Sequence, residues 1–281
     1  MSIRQGSANL DGEHRITTAA AMPDVPTLVA ISALAYVLAV ALHEHAGHSA
    51  MCRLLGSHTL EMGAFYSNCD DARLSSAAVR WVSAAGPIIS LATGLIGFRV
   101  MSATRQVSAA ARYFWWLLGC LGCMEAAGYP LFSGISGLGD LGTSAGGVFY
   151  GAQPEWLWRI IFIGAGFLGY RWAVRIALSR LMPLLSGAGA DRFRVARRAA
   201  QISYWVGAAV YVAIGAANPY GLKILLISVL PASLGGTCGL LWMFTLPVQP
   251  GPGAGAGLYF ERSWAWIVAG VTGTVLYAAV T

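Results

Sequence analysis

Apolar residues gather into seven long runs, at approximately 27–55, 78–100, 112–132, 156–179, 200–217, 222–246 and 263–280. A membrane-spanning helix needs about 20 such residues. The pattern therefore predicts an all-α fold, a polytopic transmembrane helical bundle of six to seven spans. The first run is long enough to hold a span plus an extension on the polar side. The fifth is short, and the sixth is interrupted by Pro231 and Gly235-Gly236. Between the first two runs, residues 59–66 have the brief pattern of a short strand. Residues 1–26 are polar, mixed in charge and closed by Pro23 and Pro26, as expected of a loose tail. A signal peptide fits poorly there, because Asp11, Glu13 and Asp24 outnumber Arg4 and Arg15. Residues 249–257, rich in glycine and proline, read as a flexible connector.

Composition supports the same class. Of 281 residues, 57% are hydrophobic and only 11% charged, whereas soluble domains carry about 25% charged residues. The net charge of +6 rests on arginine, with Lys223 the single lysine. It needs no nucleic-acid partner, since basic loops set membrane orientation. Arg180, Arg192, Arg194, Arg197 and Arg198 mark the 180–200 connection as cytoplasmic, and Arg99, Arg105 and Arg112 mark the 99–112 connection likewise. The 133–155 connection has no Lys or Arg and reads as external. Seven spans then place the N-terminus inside and the C-terminus outside. The arginine-rich, alanine-rich composition suggests a bacterial inner (plasma) membrane.

Cys52, Cys69, Cys120, Cys123 and Cys238 are odd in number, which argues against a fully paired disulfide framework. Cys120 and Cys123 form C-x-x-C, but within an apolar run and with no second pair, so they read as small core residues.

Within the first run stands Leu42-His-Glu-His-Ala-Gly-His48. Imidazole and carboxylate groups at membrane depth are costly and mark a functional site by default. Histidines and a carboxylate within a turn or two of helix suit a transition metal. The zincin pattern H-E-x-x-H sets its histidines four apart, but His43 and His48 are five apart. Two registers repair this. A single-turn π-bulge, frequent at functional sites, brings His43 and His48 onto one face as ligands, with Glu44 as general base. A regular helix would instead make Glu44 and His48 the ligands and leave His45 in the base position. The bulge is the smaller departure. A third ligand must be acidic or imidazole and near a helix end. Asp140, in Gly134-Ile-Ser-Gly-Leu-Gly-Asp-Leu-Gly-Thr143, is the first choice, followed by a glycine-rich and possibly helical piece. Glu125, inside the third run, is the second. Asp70 and Asp71 read as loop caps, and His14 and His58 as peripheral.

The order of these pieces resembles the site-2 protease family of intramembrane zinc metallopeptidases. Gly47-His48-Ser-Ala-Met-Cys-Arg-Leu-Leu-Gly56 resembles the continuation of its H-E-x-G-H helix. Ala84-Ala85-Gly86-Pro87 resembles its Gly-Pro helix. Tyr129-Pro130 with Gly139-Asp140-Leu141-Gly142 resembles its aspartate segment. The resemblance covers roughly residues 27–150, a metalloprotease-like membrane core, and leaves 151–281 as additional transmembrane helices. It implies zinc held by His43, His48 and Asp140, with Glu44 activating water. It also implies a membrane-protein or peptide substrate cut in or near the lipid bilayer. The alternative is a non-catalytic membrane protein that keeps the scaffold and binds a partner or metal. A metal transporter fits less well, because metal-binding side chains do not continue along the other runs.

Overall fold

A computed structural model describes residues 22–103, 108–185, 190–247 and 258–280. Every apolar run is helical. The helices are α1 (Val25–Leu54), α2 (Ser76–Ala103), α3 (Ala109–Ser136), α4 (Glu155–Leu181), α5 (Ala190–Ala216), α6 (Leu222–Thr245) and α7 (Trp264–Ala278). Among the described residues, five are long and apolar enough to cross a membrane: α1, α2, α4, α5 and α6. That is fewer than the six to seven spans expected. α7 has only 15 residues, and α3, although 28 residues long, is diluted by glycine, Arg112 and Glu125. Length and composition thus identify a helical membrane protein. The expected tail lies largely, and the glycine-proline connector wholly, outside the described residues, as does His14.

α1 starts where Asp24 caps it. The Asp24 carboxylate accepts from the Thr27 amide at 3.0 Å and the Thr27 hydroxyl at 2.8 Å, meeting donors that a helix start leaves free. Arg262, just before α7, reaches the same carboxylate at 3.3 Å. α1 packs against α7, α5 and α3 and so forms the centre of the bundle. α2 meets α3 backbone to backbone. A Cβ on Gly94 would lie 2.5 Å from the Cys123 amide nitrogen, and one on Gly122 would lie 2.5 Å from the Gly94 nitrogen. Small residues let membrane helices approach this closely. This accounts for the glycine content of α3 and for the C-x-x-C pair, since Cys120 and Cys123 are buried packing thiols.

The fold is not purely α. Two antiparallel strands, β1 (Thr59–Gly63) and β2 (Tyr66–Cys69), form a hairpin after α1. The single strand expected over 59–66 is therefore two, turning at Ala64-Phe65, which are both buried. A disulfide joins Cys52 of α1 to Cys69 of β2. Counting cysteines did not predict that pair. It holds the hairpin to the C-terminal end of α1.

The crosslink spans 17 residues, and a loop of that size stabilises by about 3 kcal/mol in the chain-entropy picture. Cys52→Ser with Cys69→Ser should lower the thermal unfolding midpoint in detergent, and reductant should do the same to the wild type but not to the double variant. An unchanged midpoint would mean that packing alone holds the hairpin.

Candidate metal centre

The first requirement of the site is met by a change of helix type. Leu42–Ser49 is a π-helical segment within α1. Its wider turn puts residues five apart on one face, so the five-residue spacing of His43 and His48 matches the local backbone. The backbone turn that the bulged register calls for is the one observed. The ring centroids lie 4.9 Å apart and the two Nε2 atoms 3.2 Å apart. His45 points away from them and meets the Tyr277 ring edge-on at 5.9 Å.

α2 completes the pocket through the absence of a side chain. The π segment crosses α2 at Gly47 and Gly86, where a Cβ on Gly47 would lie 2.7 Å from the Gly86 Cα. A Cβ on Gly86 would lie 2.4 Å from His48 Nε2 and 2.6 Å from His43 Nε2. Gly86 thus keeps open the space between the two imidazoles. The rest of α2 orients the rings. His48 Nδ1 donates to the Val82 carbonyl at 2.8 Å, one turn before Pro87, which loosens the helix here. His43 Nδ1 hydrogen-bonds Ser90 Oγ at 2.9 Å. Partners on Nδ1 leave Nε2 to face a metal.

The third group arrives from the loop after α3. Gly137 ends α3 at φ 76°, and Gly139 follows at φ 80°, a left-handed geometry that side chains disfavour. These two reversals present Asp140 to the histidines. The expected helical piece is absent; residues 137–154 form a chain of turns. Arg159 of α4 donates to the Gly134 carbonyl at 3.0 Å and also to that of Ile135, satisfying the last carbonyls of α3. Ser83 of α2 donates to the Gly146 carbonyl at 2.6 Å. The loop is thereby tied to α4 and α2.

Asp140 Oδ2 lies 3.2 Å from His43 Nε2 and 3.4 Å from His48 Nε2. With the 3.2 Å between the two Nε2 atoms, these three separations describe one face of a tetrahedron. Ligands at about 2.0–2.2 Å from a tetrahedral zinc stand roughly 3.3–3.5 Å apart, close to what is observed. With the Nε2 protons displaced, the three atoms offer lone pairs that converge on one point, as a bound cation requires. Burial alone would raise the Asp140 carboxyl, but the facing His48 and His43 rings outweigh it and hold the group below its ordinary range. His43, His48 and Asp140 are together a group that can hold a metal ion.

The remaining residues fall into place around this group. Glu44 is buried beside it and lines the same cavity, of about 800 Å³. Glu125 also lines the cavity but stands outside the three-residue group, with Tyr211 Oη at 3.5 Å. Asp70 caps a turn through the Ala72 amide at 3.3 Å, as expected, whereas Asp71 lines the cavity. His58 is largely exposed and lies 3.8 Å from Asp70. One residue escaped the reading of the sequence as a functional group. Tyr129 entered it only as a neighbour of Pro130, yet its hydroxyl hydrogen-bonds His43 Nε2 at 2.9 Å and its ring stacks on that of His43 at 4.8 Å. No local pattern marks a tyrosine for that position.

Comparison of the chain with family models, with curated proteins and with solved structures found no match in any of the three.

Proposed function

We propose that this protein is an intramembrane zinc metallopeptidase that hydrolyses a peptide bond in or near a membrane-spanning segment. The observation that carries the reading is the near-tetrahedral face made by His43 Nε2, His48 Nε2 and Asp140 Oδ2, set beside Glu44 at the wall of a cavity. Two imidazoles and a carboxylate suit zinc. A catalytic zinc would need a fourth position open to water, and His43, His48 and Asp140 line a cavity that could supply it. The Gly86 gap supports the same assignment, since it reserves the volume between the rings. The order of motifs that resembles the site-2 protease family adds to it.

His43, His48 and Asp140 would hold the ion. Zinc supplies Lewis acidity, polarising a scissile carbonyl and bringing the pKa of a water towards neutrality. Glu44 accepts the proton of the attacking water and delivers it to the leaving amine. The substrate strand must be locally unwound, because a helical peptide bond in lipid is hydrogen-bonded and shielded. The cavity gives it a place protected from lipid. Its walls are mixed: Leu131, Phe132, Ile227 and Pro231 are apolar, while Ser67 and Asn68 of β2 are polar. α6 contributes Pro231, Gly235 and Gly236 to the wall through its own π-helical turns.

The test is cleavage of synthetic transmembrane peptides by the full chain in detergent, read by mass spectrometry. A defined product pair is expected, lost on chelation and restored by zinc. No product from a zinc-loaded protein across a varied peptide set, or a product indifferent to chelation, would overturn the assignment and leave the non-catalytic scaffold.

A further inference from the structure

Tyr129 is a polar group in contact with the ligand set that neither the ligand set nor the base employs. Its hydroxyl lies within hydrogen-bond distance of His43 Nε2, at 2.9 Å. That nitrogen is the atom turned towards His48 Nε2 and Asp140 Oδ2, and its lone pair is the one a metal would take. His43 Nδ1 is already engaged with Ser90, so the ring has no second acceptor to offer. A loaded site therefore withdraws His43 Nε2 as a partner of Tyr129. The phenol cannot swing far, because its ring lies nearly parallel to the His43 ring, at 9°, and it is fixed to α3. The hydroxyl then has the Asp140 carboxylate beside it and the cavity in front of it, where Tyr129 is part of the lining, so that a more strongly charged oxygen entering the cavity beside the ligand group can accept its hydrogen bond.

We propose that Tyr129 is a catalytic residue that donates a hydrogen bond to the oxyanion formed from the scissile carbonyl. This rests on the peptidase reading above. In the addition step a C–O bond forms between the water oxygen and the carbonyl carbon. The C=O π pair moves onto the carbonyl oxygen, and Glu44 receives the water proton. Tyr129 keeps its own proton and shares it with the new O⁻. In the breakdown step the π bond re-forms, the C–N bond breaks, and Glu44 returns the proton to the amine. A donor placed in advance for developing charge in a site shielded from water is a large contribution to catalysis. A hydroxyl used this way binds the tetrahedral state better than the planar amide.

The experiment compares Tyr129→Phe with wild type, both as full chains in detergent. It measures zinc affinity by chelator competition, kcat and KM on a transmembrane peptide that the wild type cleaves, and affinity for a phosphinic analogue of that peptide. kcat should fall by about 10²–10³-fold, with KM and zinc affinity within roughly two-fold and phosphinate affinity reduced by a factor comparable to kcat. Unchanged kcat and unchanged phosphinate affinity in a zinc-loaded variant would overturn the role of Tyr129 while leaving the peptidase reading intact. Loss of zinc in the variant would also overturn it, because Tyr129 would then be part of the metal's own support. A zinc-loaded wild type that neither cleaves any peptide nor binds any phosphinate would sink the peptidase reading, and this proposal with it.

Discussion

Gly86→Ala is expected to empty the metal centre while leaving the bundle folded. The added methyl would stand 2.4 Å from His48 Nε2 and 2.6 Å from His43 Nε2, nearly where an ion at about 2.0–2.1 Å from each nitrogen would sit. The rings have little room to withdraw. His48 is held by the Val82 carbonyl and His43 by Ser90, and behind them Gly47 is already against the Gly86 backbone. The substitution therefore excludes the ion by volume and spreads the ligands at the same time. Zinc affinity should fall by about 100-fold or more, beyond the 10–100-fold usual for an outer-shell change. Chelator competition measures it, with circular dichroism to check that the helices persist. Affinity retained in a folded Gly86→Ala protein would show that the ion does not sit between these rings.

The second large effect is expected at Glu44. Glutamine keeps the volume of the side chain and removes its basicity, so Glu44→Gln isolates proton transfer from packing. Glu44 is buried at the wall of the cavity but is not one of the three grouped ligands. Peptide cleavage should drop by about 10²–10⁴-fold, with zinc content and melting temperature unchanged. Two results would contradict this. Cleavage at the wild-type rate would remove Glu44 from the chemistry. Loss of zinc would mean that Glu44 is itself a ligand, as in the regular-helix register.

Much of this centre could be read along the chain, and the reason is local. His43 and His48 do not share a face of a regular helix, so the π turn that Leu42–Ser49 adopts was the preferred of the two registers the sequence allowed. Asp140 was marked by its position near a helix end among glycines, and the structure brings it within 3.4 Å of both histidines. The apolar runs became helices because length and hydropathy are properties of each segment alone.

What escaped depends on contacts between distant segments. The Cys52–Cys69 disulfide needs the β hairpin to fold back on α1, and an odd cysteine count gives no hint of that. The placement of Tyr129 over His43 depends on how α3 is set against α1. Gly86 stood out by resemblance as part of a Gly-Pro pair, but its physical task, leaving space between two imidazoles, appears only when α1 and α2 cross. The glycines after Asp140 suggested a helix. They serve turns instead, because Gly146 and Gly151 take positive φ. α3 reads as apolar by eye, but its surface is built from small residues for close contact with α2.

The most direct measurement is the metal content of the purified protein, wild type beside His43→Ala, His48→Ala, Asp140→Ala and His45→Ala. The geometry predicts close to one zinc per chain in the wild type. The ion should be lost in each of the first three variants and kept with His45→Ala, whose ring faces Tyr277 rather than the site. Zinc retained when His43, His48 or Asp140 is removed, or lost with His45, would contradict the centre described here.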